Sequence, residues 1–180
     1  MRYLTFFFAL GLVLSSCRKD NISTPTFVSY SLNGASCNGL FRIDDDGDPL
    51  TMEGTALILP ETNDVPEIII LTLYDYVAER EVAFQIPAKE GTFLLTYDSD
   101  HFGMGIIDSG NDWLLVSGVE NTVLGVSVDV QKFKRGTNLL IFNGVEELKL
   151  HFVGIMTYEN EMNEVEQHTV EGDLFFNGTF

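Results

Sequence analysis

The chain has 180 residues and a formal net charge of −17, with 10 basic residues against 27 acidic ones. An acidic excess of this size argues against nucleic-acid binding, because phosphate contacts require clustered lysine or arginine. Charged residues make up only 21% of the chain and hydrophobic residues 45%, which indicates one globular domain and excludes a disordered chain.

The first segment has the features of an export signal. Arg2 precedes a short apolar run from Leu4 to Leu14, which is shorter than the roughly 20 residues that span a bilayer. The run ends in small residues, as a cleavable signal peptide does. Cys17 then completes the sequence Leu-Ser-Ser-Cys, which resembles a bacterial lipobox. The resemblance implies that the Cys17 thiol receives a diacylglyceryl group and that the chain is cleaved before Cys17.

These features predict three segments: a lipoprotein signal peptide at residues 1–16, a lipidated tether at 17–26 and a single β domain at 27–180. The tether is polar and contains one proline, as flexible linkers do. If Cys17 carries lipid, Cys37 is the one remaining cysteine. Its apolar neighbours predict a buried inert thiol, while an intermolecular disulfide or a reactive nucleophile stays open.

From Phe27 onward the chain reads as strands separated by turns, since branched and aromatic runs are interrupted by Gly, Asn, Asp and Pro. Apolar and polar residues alternate in residues 81–86, 92–97, 124–131 and 169–176, which predicts one buried face in each. Residues 67–74 are apolar at both parities, which suits a central strand covered on both sides or a sheet edge under a partner. The predicted strands are 27–32, 36–43, 51–59, 67–75, 81–86, 91–97, 112–117, 122–133, 138–142, 147–158 and 167–176.

Turn signals separate several of these strands, at Asp46-Gly47, Lys89-Glu90-Gly91, Arg135-Gly136 and Asn143-Gly144. No window shows a sustained helical period, and at most a helical turn or two is expected at residues 145–148 or 160–165. The predicted fold is therefore all-β, a single antiparallel β-sandwich or partly closed barrel of about ten short strands.

The acidic run of Asp44, Asp46 and Asp48 is the strongest candidate for a metal site, since Ca²⁺ prefers oxygen ligands. Its match to a calcium-binding loop fails at the two most demanding positions, where Pro49 replaces glycine and Thr55 replaces glutamate. We therefore expect an acidic, solvated hairpin and no metal. No cofactor motif is found either.

Three histidines, His101, His151 and His168, are too scattered for a metal motif, and each is expected to be solvated or capped. The basic run at residues 132–135 is expected to be a solvated strand end and turn. Aromatic residues near predicted strand ends are candidates for ligand binding, because a sugar could stack on them, although core packing explains such residues equally well. The candidates are Tyr74, Tyr76, Tyr97 and Trp113.

Several short motifs recur together in one known group of proteins. They are the Leu-Ser-Ser-Cys signal, the Asn33-Gly34 turn after an aromatic strand, the Gly91-Thr92-Phe93 strand start and the ending Asn177-Gly178-Thr179-Phe180. In these features the chain resembles small Bacteroidota lipoproteins of a domain-of-unknown-function family. The resemblance implies a lipid anchor in the outer membrane, on its periplasmic face or at the cell surface, and no particular activity.

The leading hypothesis is a membrane-anchored, non-enzymatic envelope lipoprotein that binds a glycan, peptide or protein ligand. A carboxylate-based glycan hydrolase is an alternative, and it would require two acids that face each other across a cleft with perturbed pKa values. A structural subunit of an envelope complex is another, and it would show a large exposed apolar patch or an unpaired edge strand. A membrane-spanning barrel is disfavoured by the lipobox, the acidic charge and the two-sided apolar strand.

Overall fold

The computed structural model describes residues 26–33, 35–42, 52–62, 65–75, 79–108, 113–120, 122–139, 142–159 and 165–178. Within these ranges the chain is all-β, with eleven strands and no helix. In chain order the strands are β1 (Phe27–Leu32), β2 (Ala35–Arg42), β3 (Met52–Leu59), β4 (Ile68–Asp75), β5 (Arg80–Pro87), β6 (Gly91–Thr96), β7 (Gly103–Asp108), β8 (Trp113–Ser117), β9 (Gly125–Leu139), β10 (Phe142–Glu159) and β11 (Val165–Asn177).

The strands pair antiparallel in one continuous sheet that folds back on itself. One layer has the order β2-β1-β11-β10-β9-β6, and the other has the order β3-β4-β5-β7-β8. The long strand β10 joins the two layers, because Asn143 and Gly144 pair with β3 while Met156 and Thr157 pair with β8. The path through β10, β3, β4, β5, β7 and β8 is therefore closed, which gives a sandwich that is partly ring-like.

The core lies between the two layers, where alternate side chains of each strand point inward. Within residues 81–86 of β5 the buried side chains are Val82, Phe84 and Ile86, which confirms the predicted alternation there. Phe152 of β10 meets Phe84 from the other layer, with ring centroids 5.3 Å apart and ring planes at 64°. This edge-to-face geometry is favourable for aromatic rings, and it joins the two layers at the centre of the core.

The predicted central strand is confirmed, since β4 lies between β3 and β5. Its inner face is fully buried at Ile69, Leu71 and Leu73. On the opposite face Ile68 is also buried, whereas residues 70, 72 and 74 are half-buried. The apolar character at both parities therefore reflects two covered faces at the start of the strand and one covered face beyond it.

Two turn predictions and one helix prediction are wrong, because long strands cross those positions. Arg135-Gly136 lies inside β9, where Arg135 pairs with Val145 of β10, and Asn143-Gly144 lies inside β10. Residues 145–148, a possible helical turn, are also part of β10. Pairing over the long strands β9, β10 and β11 overrides the local preferences there. The turn at Lys89-Glu90-Gly91 is confirmed between β5 and β6, while Asp46-Gly47 and residues 160–164 lie outside the described residues.

Strand β7 is absent from the sequence prediction. Gly103 and Gly105 lower the strand propensity of this segment, and they hide the alternation of Met104, Ile106 and Asp108, which are buried. The strand forms because β5 and β8 supply hydrogen-bonding partners on both sides. Tertiary pairing thus compensates for weak local propensity.

The first and last described strands close the domain together. β1 pairs with β11 along its whole length, and Asn177 donates its backbone N–H to the hydroxyl of Thr26 at 3.1 Å. Thr26 itself is buried, and Asn177 is in register with Glu147 of β10. We call this end of the fold, marked by Thr26, Asn177 and Glu147, the proximal end, because the predicted tether leads into it.

Candidate binding surface

The structure tests only some of the predicted site residues. Trp113 is the first residue of β8 and stands opposite Asp108, but its side chain is outside the described part of the chain. Tyr74 and Tyr97 are described with their side chains. The other candidates lie outside the described residues: Cys17, Asp44, Asp46, Asp48 and Tyr76.

The fold separates Tyr74 from Tyr97. Tyr74 is half-buried near the end of β4 and is in register with Glu81 of β5. The backbone of Trp113 begins β8 at that same end of the layer, one register position away. Tyr97 follows β6 and lies beside Gly118, which follows the other end of β8. The described aromatic candidates therefore do not form one platform.

The end that contains Tyr74 also holds a carboxyl group with a shifted pKa. Burial raises the pKa of Glu81 above its ordinary value, and its described register neighbours are Tyr74 and Ile107. On the inner side of the same strands, Arg80 Nε donates to Asp108 Oδ2 at 3.1 Å. This ion pair is mostly buried and joins β5 to β7. Among the described side chains, no second carboxyl stands directly opposite Glu81 in register, and a carboxylate hydrolase uses a pair.

Tyr97 belongs to an exposed apolar cluster at the other end. Residues 97–102 connect β6 to β7, and residues 118–120 and 122–124 belong to the connection from β8 to β9. We call these two connections the distal tip. Their side chains are exposed by 46% at Tyr97, 83% at Val123 and 42% at Leu124, and Leu94 in the adjoining β6 is 54% exposed. Clustered exposed apolar side chains mark interaction sites on soluble domains.

The connection that carries Tyr97 is held by a reciprocal pair of hydrogen bonds. The N–H of Thr96 donates to Ser99 Oγ at 3.1 Å, and the N–H of Ser99 donates to the Thr96 carbonyl at 3.2 Å. Gly118 of the second connection has a φ of +89°, and a Cβ atom there would lie 2.3 Å from the Tyr97 nitrogen. Glycine permits both this backbone conformation and the close approach, so the two connections pack directly against each other.

The second connection is ordered by its own side chains. The Thr122 hydroxyl donates to the Val119 carbonyl at 2.8 Å and accepts from the N–H of Leu124 at 3.2 Å. These local bonds form a compact turn of the type that Ser and Thr favour. Val123 lies at the outer point of this turn, which explains its high exposure.

The tip and the proximal end lie at opposite ends of the first layer. The N–H of Gly118 donates to the carbonyl of Ile155 in β10 at 2.9 Å, whereas Glu147 of the same strand marks the proximal end. Eight residues of extended chain separate the two positions, a length of about 26 Å. The apolar cluster therefore lies far from the point where the chain enters the domain.

Charges are distributed unevenly between these two ends. Asp98, Asp100 and Glu120 are exposed at the tip, and none of them forms an ion pair within the described part of the chain. The basic run at residues 132–135, expected to be a solvated strand end and turn, lies inside β9 at the proximal end and is paired with acids. The pairs there are Lys132 with Glu147, Lys134 with Glu146 and Arg135 with Glu67.

Other features offer weaker sites. A shallow groove of about 290 Å³ on the outer face of β1, β11 and β10 is at or below the lower limit of typical ligand pockets. His151 is capped by Asp173 at 3.0 Å and His168 by Asn33 at 2.9 Å, as predicted. Over the described ranges, no group of three or more His, Cys, Asp or Glu side chains is placed to hold a metal ion.

Sequence reasoning found Tyr97 but missed its apolar neighbours. Leu94 lies between Phe93 and Leu95, and strict alternation would have placed it on the outer face. Val123 and Leu124 were assigned to the start of a strand over residues 122–133, but the strand begins at Gly125. Gly118, Asn121 and Thr122, which are residue types that favour turns, follow Ser117 in the sequence and could have indicated an exposed connection there.

The chain matches none of the protein-family models, curated proteins or solved structures compared with it. Among the described residues, no helix is long and apolar enough to cross a bilayer. The distal tip is thus identified as the candidate surface by its geometry and exposure.

Proposed function

We propose that this protein is a lipid-anchored envelope lipoprotein that acts as a binding or interaction module and presents its distal tip to a glycan, peptide or protein ligand. The observation that carries the proposal is the cluster of exposed Tyr97, Val123 and Leu124 on two well-ordered connections. A monomeric domain gains nothing in stability from exposing these side chains, because burial of apolar surface is what stabilises the fold.

The position of the tip agrees with an anchored protein. Cys17 precedes Thr26 by nine positions, and Thr26 enters the fold at the proximal end, where it bonds Asn177. A lipid on Cys17 would hold the proximal end near the membrane and direct the tip away from it. We place the anchor in the outer membrane, on its periplasmic face or at the cell surface, in line with the resemblance to small Bacteroidota lipoproteins.

The anchor is tested by replacing Cys17 with Ala, which removes the thiol that accepts lipid and keeps the apolar export run intact. Two or more acyl chains bind membranes firmly, at about 0.8 kcal/mol for each buried CH₂, whereas one chain binds marginally. We expect the wild-type protein to incorporate a palmitate analogue and to stay with membranes in high salt. The variant should be exported, unlabelled and soluble. Label that persists in the variant would contradict the anchor.

The binding role is tested with panels of oligosaccharides and peptides applied to the full chain, purified in detergent. The double variant Val123→Ser with Leu124→Ser should lose the ligand while it keeps the wild-type melting temperature. Val165→Ser is the matched control, because Val165 is 60% exposed but lies outside the tip. Equal binding by the double variant and the control would exclude the tip as the site.

A further inference from the structure

Strand β6 has one free edge within the described residues. It pairs with β9 from Gly91 to Thr96 and with no other described strand. Its sequence, Gly-Thr-Phe-Leu-Leu-Thr, contains no charge and no proline. Charges and prolines are two of the devices by which proteins protect exposed edges against pairing with another chain, and β6 has neither.

The hydrogen bonds of Thr96 show which backbone groups face outward. Its N–H donates to Ser99 Oγ and its carbonyl accepts from the N–H of Ser99, whereas the carbonyl of the preceding Leu95 faces Gly125 of β9. Outward and inward groups alternate along a strand of an antiparallel pair, so the N–H and carbonyl of Thr92 and Leu94 also point away from β9. Thr92 and Leu94 therefore offer two backbone donors and two backbone acceptors to another strand. The edge ends at Thr96, whose outward groups are already bonded to Ser99.

The exposed apolar side chains continue from this edge. Thr96 is in register with Gly125, so Tyr97, just after Thr96, and Leu124, just before Gly125, lie next to each other. Leu94, in β6, precedes Tyr97 by three residues and is more than half exposed. An edge strand followed directly by an apolar surface is the arrangement by which domains bind extended peptides: main-chain bonds hold the peptide and neighbouring surfaces select its side chains.

The charges around this surface specify the partner. Asp98, Asp100 and Glu120 lie in the two connections of the distal tip, where no lysine or arginine side chain is described. Arg80, Lys132, Lys134 and Arg135 are ion-paired, and Lys149 is in β10 near the proximal end. Lys89 lies over the Phe93 ring, before the start of β6 and at the opposite end of that strand from Asp98 and Asp100. A cationic partner would gain from this field, and an anionic polysaccharide would be repelled. A second copy of the chain would bring together two molecules of charge −17.

We propose that the distal tip binds an extended, basic polypeptide segment of another protein, which adds as a strand to β6 at Thr92 and Leu94. An apolar side chain of the segment packs against Tyr97 and Leu124, and its basic residues lie near Asp98 and Asp100. This inference rests on the proposed binding function and names the class of ligand.

The test uses the full chain in detergent and a fluorescent six-residue peptide of alternating Lys and Val. An alternating Glu and Val peptide is the charge control, and a Lys and Val peptide methylated on its central backbone nitrogens is the strand-pairing control. We expect the Lys and Val peptide to bind at low ionic strength and both controls to bind at least tenfold more weakly. Binding should weaken as salt screens the acids.

Protein variants of equal charge separate a local site from general attraction to an acidic chain. The double variant Asp98→Asn with Asp100→Asn should bind the Lys and Val peptide at least fivefold more weakly than the wild type does. Glu61→Gln with Glu171→Gln removes the same charge from exposed sites elsewhere and should change binding less than twofold. Equal effects of the two double variants, or full binding by the methylated peptide, would overturn the proposal without requiring any variant to misfold.

The remaining outcomes distinguish this inference from the function on which it rests. An oligosaccharide that binds at Tyr97 while no peptide binds would overturn the peptide ligand and leave the binding module intact. Concentration-dependent dimers that Leu94→Lys abolishes would identify a second copy as the occupant and would also overturn it. If no probe binds, and cells that carry the tip variants are indistinguishable from wild-type cells, both the binding function and the peptide ligand would be overturned.

Discussion

The proximal end and the distal tip contain the same kinds of residue in opposite settings. At the proximal end the Arg135 guanidinium lies over an aromatic ring, 5.5 Å from the Phe133 ring centroid. Along β6 the Lys89 ammonium lies 5.8 Å from the ring centroid of Phe93. At the tip Tyr97 lies exposed beside acids that have no described ion pair. Because the chain covers aromatic rings and pairs charges at one end, their exposure at the other end is a local property of the tip.

This contrast implies that the contacts that stabilise the fold and the proposed binding surface are located in different parts of the domain. The core and the proximal end hold the buried rings, the paired charges and the contact between the terminal strands. The tip contributes little burial, so its apolar side chains can change with little effect on folding. Substitutions of buried side chains should therefore lower the free energy of unfolding more than substitutions of exposed tip side chains. Gly118 is the exception at the tip, because the two connections pack directly against each other there.

The largest effect is expected for Phe152→Ala in the core. The ring is fully buried against Phe84, between the two layers, and its removal should lower the free energy of unfolding by about 3–5 kcal/mol. Urea denaturation followed by far-UV circular dichroism measures the loss. Both ends of the domain should unfold in a single transition. A loss below about 1 kcal/mol, typical of surface positions, would show that the layers are not joined there.

Gly118→Ala should have the next largest effect and should act mainly at the tip. The added Cβ would meet backbone atoms of Tyr97 and Leu124, and the φ of +89° is unfavourable for alanine, so a cost of about 1–3 kcal/mol is expected. Hydrogen exchange should show faster exchange of the Gly118 amide, which is bonded to Ile155. Gly103→Ala is the control, since its nearest contact, Ser117 Oγ, is 3.8 Å away. Equal losses in both variants would refute the close packing of the connections.

Arg135→Ala tests the paired charges of the proximal end. The guanidinium donates to both oxygens of Glu67, with Nη1 to Oε1 at 2.7 Å, but the pair is partly exposed, and a loss of about 0.5–1 kcal/mol is expected. The hydrogen bond from Arg135 lowers the pKa of Glu67 below its ordinary value of 4.5. The stabilisation is therefore present above pH 4.5 and is lost as the pH falls through the lowered pKa of the folded state.

Thermal melts across this pH range check the Arg135 prediction. Wild type and variant should differ at pH 7 and converge in acid. Lys149→Ala provides the control, because Lys149 is exposed and forms no ion pair in the described part of the chain. A difference between wild type and Arg135→Ala that grows towards low pH would contradict the assigned sign.

Val123→Ser should have the smallest effect on stability, because 83% of the side chain is already in water. Substitutions at such exposed positions usually change the free energy of unfolding by less than about 0.5 kcal/mol. Its matched partner is Val145→Ser, at a fully buried position of the proximal end, where a large loss is expected. Thermal melting curves of both variants and the wild type measure the two losses. Similar losses in the two variants would mean that the tip and the proximal end do not differ in the way described.

Much of the fold follows from local pattern. β1 has the predicted bounds, Phe27–Leu32, and alternation identified the buried face of β5. The errors occur where partners decide the structure. Gly136 and Gly144 read as turns, yet both lie in long strands whose neighbours supply hydrogen bonds, and β7 forms in spite of its glycines.

The candidate surface was less predictable than the fold. The predicted alternation over residues 92–97 put Tyr97 on the same face as Phe93 and Leu95, but β6 ends at Thr96. At Thr96 the backbone N–H and carbonyl are bonded to Ser99. Leu124 has the parity of the buried Val126, but it lies before the first residue of β9 and is exposed. Alternation within a strand predicts burial well. It fails at strand ends, where exposure depends on a terminating hydrogen bond and on the neighbouring connection.

The pairing of β1 with β11 has a consequence for the order in which the domain can fold. Thr26 and Asn177 are 151 positions apart in the chain, so β1 emerges from the ribosome long before its partner is synthesised. Until then β1 can pair only with β2, and an isolated two-stranded hairpin is at best marginally stable in water. Contacts of such long range are slow to form. Completion of the sheet therefore waits for β11, which favours an incompletely folded chain throughout synthesis.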